Sequence, residues 1–451
     1  MNIIIVGCGR VGRTLAKALN GDDNEVTVID QSVERVNTVA SRYDVLGIVG
    51  NGATQTVQRE AGIDTADLLI AVTGSDELNL LCCMIAQKEG HCQTIARLKN
   101  PDYSNEAEYL KQHLGLAMIV NPEYAAAEEI ARVLRFPSAL KIEPFAKGKV
   151  ELIKFRLRTD SPLVGMSVKD MVAKYRVDML VATIERDEKV FIANGMSTFE
   201  EKDVVSIIAT PKNANEFFKK INSKCQTVKD AIIIGGSTIS HYLCEILERA
   251  DIRLKIIEKE YKICEEFCAR WPKTAVIHGD ALDKELLKEE GIERSGAFVT
   301  LCNADEENIL LSVYAKGLGT GKLITKINRT DYDNVINRLD LETIICPRTL
   351  TADQILRYVR ATKNAKGSNV ERLYNLIQGK VEACEFIIKE NSPIAGIPLS
   401  ELKLKPNVLI CAITRGDEVI VPRGHHTIES GDTVILVSSI LGLGDVLDVL
   451  E

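Results

Sequence analysis

The chain is written twice. Ile3-Ile4-Ile5-Val6-Gly7 returns as Ala231-Ile232-Ile233-Ile234-Gly235, an offset of 228 residues between Gly7 and Gly235. Val26-Thr27-Val28-Ile29-Asp30 returns at the same offset as Leu254-Lys255-Ile256-Ile257-Glu258. Ala61-Gly62-Ile63 matches Glu290-Gly291-Ile292, and Asp76-Glu77-Leu78-Asn79 matches Asp305-Glu306-Glu307-Asn308, both at an offset of 229. Asn121-Pro122 pairs with Cys346-Pro347, and Ser161-Pro162-Leu163-Val164-Gly165 pairs with Ser392-Pro393-Ile394-Ala395-Gly396. The order is kept throughout, so the chain is a tandem duplication with a seam near Lys224 to Lys229. Length alone would divide 451 residues into about three domains. The repeat divides them into two units instead.

Each unit begins by alternating apolar β-like runs with helical runs. In the first, strands are expected at Asn2–Val6, Glu25–Ile29, Val45–Val49, Leu68–Val72, Thr94–Leu98 and Ala117–Val120. Helices are expected between them at Arg10–Leu19, Ser32–Ser41, Thr54–Ala61, Asp76–Lys88 and Ser104–His113, and then at Glu123–Arg135. Strands that are apolar along their whole length, joined through helices, imply a parallel sheet covered on both faces, the doubly wound α/β arrangement. After a Pro- and Lys-containing stretch, Phe136 to Val150, the character changes. Strands at Glu151–Leu157, Met179–Glu185, Val190–Ala193 and Asp203–Ala209, with a short helix at Ser167–Lys174 and a turn at Arg186-Asp187-Glu188, make a small α+β module. The second unit repeats it with Val408–Thr414, Val419–Val421 and Thr433–Val437. The expected organisation is therefore a large domain over 1–135, a small one over 144–225, a large one over 229–360 and a small one over 368–451.

Gly7-Cys8-Gly9-Arg10-Val11-Gly12 is a G-x-G-x-x-G that follows an apolar strand, opens a helix and precedes a second strand ending in Asp30. That context makes it a dinucleotide fingerprint and the large domain a Rossmann domain. Gly7 permits the tight turn, Gly9 lets a pyrophosphate approach the backbone, and Gly12 lets helix and strand lie close. Free amides and the dipole at the helix start attract phosphate. Asp30, where a carboxylate can accept both ribose hydroxyls, would repel a 2′-phosphate, and Gln31-Ser32 supply no cation to offset it. This favours NAD(H) over its 2′-phosphorylated form. Asn51-Gly52-Ala53 and Thr73-Gly74 follow the third and fourth strands and should line the same crevice, with Arg97 at the end of the fifth strand countering phosphate charge. Ser75 and Asp76 are expected to cap the next helix rather than touch ligand. The second copy reads Gly235-Gly236-Ser237-Thr238-Ile239-Ser240, with serines where Gly9 and Gly12 stood, and keeps an acid at Glu258. It is expected to bind nucleotide weakly, in altered form or not at all.

Other chemistry finds little support. Lys plus Arg number 56 and Asp plus Glu 64, a net charge of −8. This leaves no basic surplus for a general nucleic-acid binder or for an anionic membrane surface. No run approaches 18 apolar residues, and the first residues form a strand rather than a signal peptide, so a cytoplasmic chain without a membrane helix is expected. None of the 12 cysteines forms a C-x-x-C pair. Cys82-Cys83 and Cys264/Cys268 are expected to pack in cores as reduced thiols, Trp271 likewise, with no metal site. The six histidines show no triad-like or metal-ligand spacing. No catalytic residue is expected.

Two tandem units of this kind resemble the family of domains that regulate potassium conductance, RCK or KTN (TrkA-N) domains each followed by a TrkA-C module, as in the peripheral subunit of bacterial Trk potassium uptake systems. The resemblance covers essentially the whole chain. It rests on Ile3 to Gly12 with Asp30, Gly62-Ile63-Asp64, Thr73 to Asn79, Asn121-Pro122-Glu123, and Ser161-Pro162-Leu163 with Gly165. It implies a non-enzymatic regulatory subunit that binds NAD(H), or ATP or ADP in the same site. It further implies a homo-oligomeric, tetrameric gating ring, attached at the inner face of the cell membrane through a Trk-type potassium-translocating partner. The helices from Glu123 and Thr349 would then pack between Rossmann domains. The alternative is an NAD-dependent oxidoreductase with a duplicated Rossmann fold.

Overall fold

A computed structural model describes all residues except 21–23, 105, 137–138, 188, 222–227, 249–251, 329–338, 340, 342, 366–369, 378–379, 391, 441–442, 444 and 451. Residues 224–227 of the expected seam and Glu188 of the expected hairpin turn thus lie outside the described residues. The first large domain contains β1 (Asn2–Val6), β2 (Glu25–Asp30), β3 (Leu46–Val49), β4 (Leu68–Ala71), β5 (Gln93–Arg97) and β6 (Met118–Val120). They form one sheet in the order β3-β2-β1-β4-β5-β6, every pair parallel. β1 lies at the centre because its Ile3 to Val6 are all buried, and β4 beside it is buried at every position. The chain reverses direction of travel between β3 and β4, so the carboxyl ends of β1 and β4 flank the switch point where such sheets bind ligands.

The first small domain contains β7 (Ala139–Phe145), β8 (Val150–Arg156), β9 (Met179–Arg186), β10 (Lys189–Ile192) and β11 (Val204–Ala209), an antiparallel sheet in the order β10-β9-β11-β8-β7. The stretch from Phe136 to Val150 was expected as a connection, but it contains strand β7 at Ala139–Phe145. Pro144 hides the strand in the sequence, and the strand tolerates it because β7 is at the sheet edge. A helix at Pro211–Ile221 also escaped the sequence pattern. The expected single helix Ser104–His113 is two pieces, Pro101–Ser104 and Ala107–His113.

The second half repeats both sheets. β12 (Asp230–Ile234), β13 (Arg253–Glu258), β14 (Ala275–His278), β15 (Ala297–Thr300), β16 (Lys322–Lys326) and β17 (Thr343–Ile345) follow the order β14-β13-β12-β15-β16-β17. β18 (Val370–Ile377), β19 (Val381–Ile387), β20 (Val408–Arg415), β21 (Glu418–Ile420) and β22 (Thr433–Ser438) follow β18-β19-β22-β20-β21. No helix among the described residues is long and apolar enough to cross a membrane.

Like packs with like. The chain divides into one compact unit of Met1–Ala131 with Asp230–Leu356 and another of Arg132–Lys229 with Arg357–Glu451. In the first unit, Tyr242 on the helix Thr238–Leu247 is buried. Its hydroxyl donates to the Lys99 carbonyl at 3.1 Å and accepts from Asn121 Nδ2 at 2.9 Å, while the Tyr124 ring meets it edge-on. The start of the helix Pro122–Arg135 therefore packs against the opposite Rossmann domain. In the second unit, alternation along the strands explains the pairing. Ile153 and Phe155 face the helices of their own module, whereas Val150 and Leu152 join Val381, Ala383, Ile435 and Val437 of the other module in a shared core. Each small module also carries the same clamp. Arg186 donates through Nε and Nη2 to the two oxygens of fully buried Asp203, both at 2.8 Å, and Arg415 does the same to Asp432 at 2.9 and 2.8 Å.

Of the cysteines expected in cores, Cys82, Cys83 and Cys264 are buried but Cys268 is exposed, one face of a surface helix being too narrow to cover both turns. Trp271 is only half-buried at a helix end, where its indole N–H donates to His241 Nδ1 at 3.2 Å.

Removing one partner of a buried ion pair leaves an uncompensated charge. Asp203→Ala is expected to lower stability by about 3 kcal/mol, and Asp432→Ala by a similar amount, measured by urea denaturation.

Candidate functional site

The site is built where β1 runs into the helix Arg10–Leu19. Gly7 has φ of +107°, which only glycine adopts without strain, and its N–H donates to the Ile29 carbonyl at 2.7 Å. A Cβ on Gly12 would lie 1.8 Å from the Gly7 carbonyl oxygen, so helix and loop can touch only because that atom is missing. Gly9 is different. A Cβ there would meet nothing within 4 Å, and its φ of −68° suits any residue. The open space lies above the loop, where a phosphate would sit. Gly9 is also the N-cap and offers no side-chain acceptor, so no cap competes for the first-turn amides.

Asp30 ends β2 and reaches back over this loop. Its Oδ2 accepts from the Cys8 N–H at 2.7 Å and its Oδ1 from the Ser32 N–H at 2.9 Å. Two backbone donors thus orient the carboxylate while each oxygen keeps a lone pair for a further donor. Cys8 and Val11 point their side chains into the core. Burial, and then the Asp30 charge, push the Cys8 thiol up to about 12, so it is a neutral packing group rather than a nucleophile.

The neighbouring loops join the same edge. A Cβ on Gly7 would touch Thr73 N at 3.0 Å. Both the N–H and the hydroxyl of Thr73 donate to Asn79 Oδ1, at 2.8 and 2.7 Å, and Asn79 Nδ2 donates to the Arg97 carbonyl at 2.8 Å. Asn79, fully buried, thereby fixes the β4 loop against the end of β5. In the sequence Asn79 stands out only through the repeat and the stretch Thr73 to Asn79 that carries the family resemblance. Its counterpart Asn308 makes the same links, accepting from Cys302 N at 2.8 Å and donating to the Lys326 carbonyl at 3.0 Å, so repetition at a buried amide was the available signal. Gly74 is exposed, with nothing within 4 Å of an added Cβ. Arg97 is half-buried, and its Nε is sealed from solvent without an acceptor among the described residues.

Asn51 and Gly52 shape the loop after β3. Asn51 Oδ1 accepts from the Ala53 N–H at 3.0 Å, closing a turn. Gly52 packs on β1, where a Cβ would lie 2.3 Å from Val6 Cγ1. Gln58, absent from the sequence reading, is fully buried and donates to the carbonyls of Gly52 at 2.7 Å and Cys82 at 3.0 Å, holding this loop in place. Ser75 caps the helix Asp76–Gly90 as expected, accepting from Leu78 N at 3.2 Å. Asp76 does not cap it. Its Oδ2 accepts from the N–H groups of Lys99 at 3.0 Å and Asn100 at 2.9 Å, because it lies within the first turn and faces the β5 loop.

The second copy has closed its own loop. Glu258 accepts from Gly236 N at 2.6 Å and from Glu260 N at 2.7 Å, as Asp30 does. Ser237 and Ser240, however, cap each other's amides, both at 3.3 Å, and Ser240 Oγ donates to the Gly235 carbonyl at 2.5 Å. Donors that would face a phosphate are used internally. Where Arg97 ends β5, Lys326 ends β16. It is buried and donates to the Leu301 carbonyl at 3.2 Å. Burial pushes its ammonium below the usual lysine range, partly offset by Cys302, Asp305 and Glu123.

The two glycines of the first loop should separate in a stability measurement. Gly12→Ala must displace the helix and is expected to cost about 1–3 kcal/mol. Gly9→Ala should stay within about 0.5 kcal/mol of the parent. Chemical denaturation with far-UV circular dichroism compares them.

Comparison with known proteins agrees with this architecture. The TrkA-N domain model matches residues 3–122 and 231–347, and the TrkA-C domain model matches residues 152–222 and 384–450. A Trk system potassium uptake protein TrkA homolog 1 from Methanosarcina mazei is 32% identical over 446 residues, 97% of each chain. The Trk system potassium uptake protein TrkA of Halomonas elongata is 31% identical over 442 residues, 97% of this chain and 95% of that one. Among solved structures, the GsuK channel bound to NAD has a TM-score of 0.65 at 16% identity, over 97% of this chain and 76% of that one, a likeness of fold. The GsuK RCK domain has the same score and identity, with 92% of its length covered. With both domain models matched twice and relatives of this identity along nearly its whole length, the chain belongs to the TrkA family of Trk-system potassium uptake proteins.

Proposed function

We propose that this chain is a nucleotide-sensing regulatory subunit of a potassium-uptake system, acting on a Trk-type membrane subunit without catalysing a reaction. The observation that carries the reading is the first glycine loop: uncapped helix amides, open space above Gly9, and a carboxylate at Asp30 already oriented by two backbone donors. NAD(H) is the preferred ligand, with ATP and ADP as occupants of the same site. The pyrophosphate lies on the Gly7–Gly12 amides, the ribose hydroxyls donate to Asp30, and the adenosine lies along Thr73 and Gly74. Arg97 counters the phosphate charge. Asn51, Gly52 and Ala53 shape the crevice wall. The relatives' role in Trk potassium uptake and the NAD and ADP carried by the GsuK structures support this reading. The mutually capped serines argue that the second Rossmann domain does not share the task. The same proposal divides the chain into four domains at 1–135, 144–225, 229–360 and 368–451. It assembles four chains as a ring on the inner face of the membrane through the translocating partner.

The neutral Cys8 thiol disfavours the oxidoreductase alternative, since hydride chemistry needs a group that manages a proton at the substrate, and the carboxylate over the loop, Asp30, is held by two backbone amides. A fluorescence titration with NADH, run beside a screen for substrate-dependent NADH consumption, decides between the two. Binding without turnover, together with nucleotide-dependent potassium flux once the membrane partner is present, supports regulation. Turnover would sink it. Asp30→Asn is the matching variant. Losing the charged acceptor should weaken NADH about 10- to 100-fold. Unchanged affinity would refute the site. Asp30→Ala is the poorer choice because it also strips an acceptor from two backbone amides.

A further inference from the structure

The two small modules meet at two equivalent junctions whose side chains differ. At an offset of 229 residues, the hairpin end Val190 to Thr198 corresponds to Val419 to Thr427. Asn194 thus corresponds to Arg423 and Ser197 to His426, while Asp178, just before β9, corresponds to Asn407, just before β20. The turn is the same in both. Asn194 N–H donates to Ser197 Oγ at 3.1 Å, and Arg423 N–H donates to His426 Nδ1 at 3.0 Å. At one junction the second module's hairpin is tied to the first module, Arg423 Nη2 donating to Asp178 Oδ1 at 3.2 Å. At the other junction those two positions hold the uncharged Asn194 and Asn407. Between them lies a cavity of about 470 Å³, with both asparagines on its wall. That volume is within the range of small-molecule sites.

The wall defines the chemistry it can hold. Val190, Ile192 and Val381 give it an aliphatic side continuous with the core that the two modules share. Phe191 and Met196 line it while remaining 46% and 81% exposed. A ring beside a thioether suits a flat aromatic partner, which both contact favourably. The polar groups are short and uncharged. Asn194 spends its Oδ1 on the Met196 N–H at 2.9 Å and keeps its Nδ2 donors. The side chains of Asn407, Thr198 and Ser439 make no hydrogen bond among the described residues. Arg186 is the charged residue of this wall, and its guanidinium is committed. Asp203 takes both Nε and Nη2 at 2.8 Å, Nη2 also donates to the Thr198 carbonyl at 2.9 Å, and Nη1 pairs with Glu200. The wall therefore keeps no cation for a phosphate or carboxylate, and burying an anion without one is costly.

We infer that this cavity is a binding site for an uncharged aromatic molecule with hydrogen-bonding groups on its edge, of the aromatic-amide class, held between the two small modules. Such a ligand touches the hairpin of the first module together with Val381, Asn407 and Ser439 of the second, so its binding bears on how the modules pack. The site is separate from the glycine loop and does not depend on the nucleotide reading.

The test uses the full chain and saturation-transfer NMR, with benzamide and naphthamide as neutral probes and benzoate as the charged counterpart. Both amides are expected to bind at about 1–10 mM, as molecules of this size do in a formed site. Benzoate should bind about 10-fold more weakly or not at all. Asn194→Arg combined with Asn407→Asp installs the ion pair of the other junction and should abolish the signal of both amides. Asn407→Ala removes one amide without filling the space and should weaken them about 3- to 10-fold. It decides the matter if the double substitution lowers the thermal unfolding midpoint. Amides that bind the parent and these variants alike, or that fail to bind the parent at about 10 mM, overturn the site. Benzoate binding as tightly as benzamide overturns the ligand class. NADH affinity, titrated on the same samples, should not change, so a loss at this cavity is distinguishable from a loss at the glycine loop.

Discussion

The helix Arg10–Leu19 presses against the loop that precedes it because Gly12 has no side chain. At Gly12 the distance left for a Cβ is 1.8 Å from the Gly7 oxygen, and the geometry of the first site follows from that contact. It aims the uncapped amides of the helix at the space over Gly9 and brings the loop within reach of Asp30 and Thr73. In the second copy Ser240 occupies the equivalent position. Its hydroxyl bonds to the Gly235 carbonyl and joins Ser237 in capping the helix. The same backbone plan thus yields a loop open to an anion in one half and a self-satisfied one in the other.

Duplication supplied more than two glycine loops. The Rossmann domains pair with each other, and so do the small modules, although each is separated from its partner in the chain. For the small sheets the reason is burial. Alternating residues make both faces apolar; in the first module helices cover one face and the other module covers the second. For the Rossmann pair the contact is partly polar, through Tyr242, Asn121 and Lys99. A polar contact of this kind can exchange between arrangements at modest cost. Physically, a nucleotide shifts such an equilibrium only by its difference in affinity for the two arrangements. A ligand touching both domains supplies such a difference, and one confined to a single domain does so only indirectly.

Much of this was legible beforehand because the relevant signals are local. β1, β4 and the helix Arg10–Leu19 follow from apolar runs and a glycine fingerprint, and they stand where the sequence places them. β7 was not legible, because Pro144 and its neighbouring charges resemble a linker until the sheet edge that accepts them is known. Cys268 and Cys264 share a helix face in the sequence, but only one of them meets the core. The packing of Gly52 on Val6 was not legible either, since the two are distant in sequence.

The sequence by itself determined the duplication, the two domain types and the loop at Gly7 to Gly12, because each depends on residues close together in the chain. Only the tertiary structure decided that Asn79 and Gln58 hold the loops and that the serines of the second copy cap one another. Those outcomes depend on which surfaces meet after folding. A buried amide or an arginine without an acceptor looks like any other polar residue until its surroundings are in place.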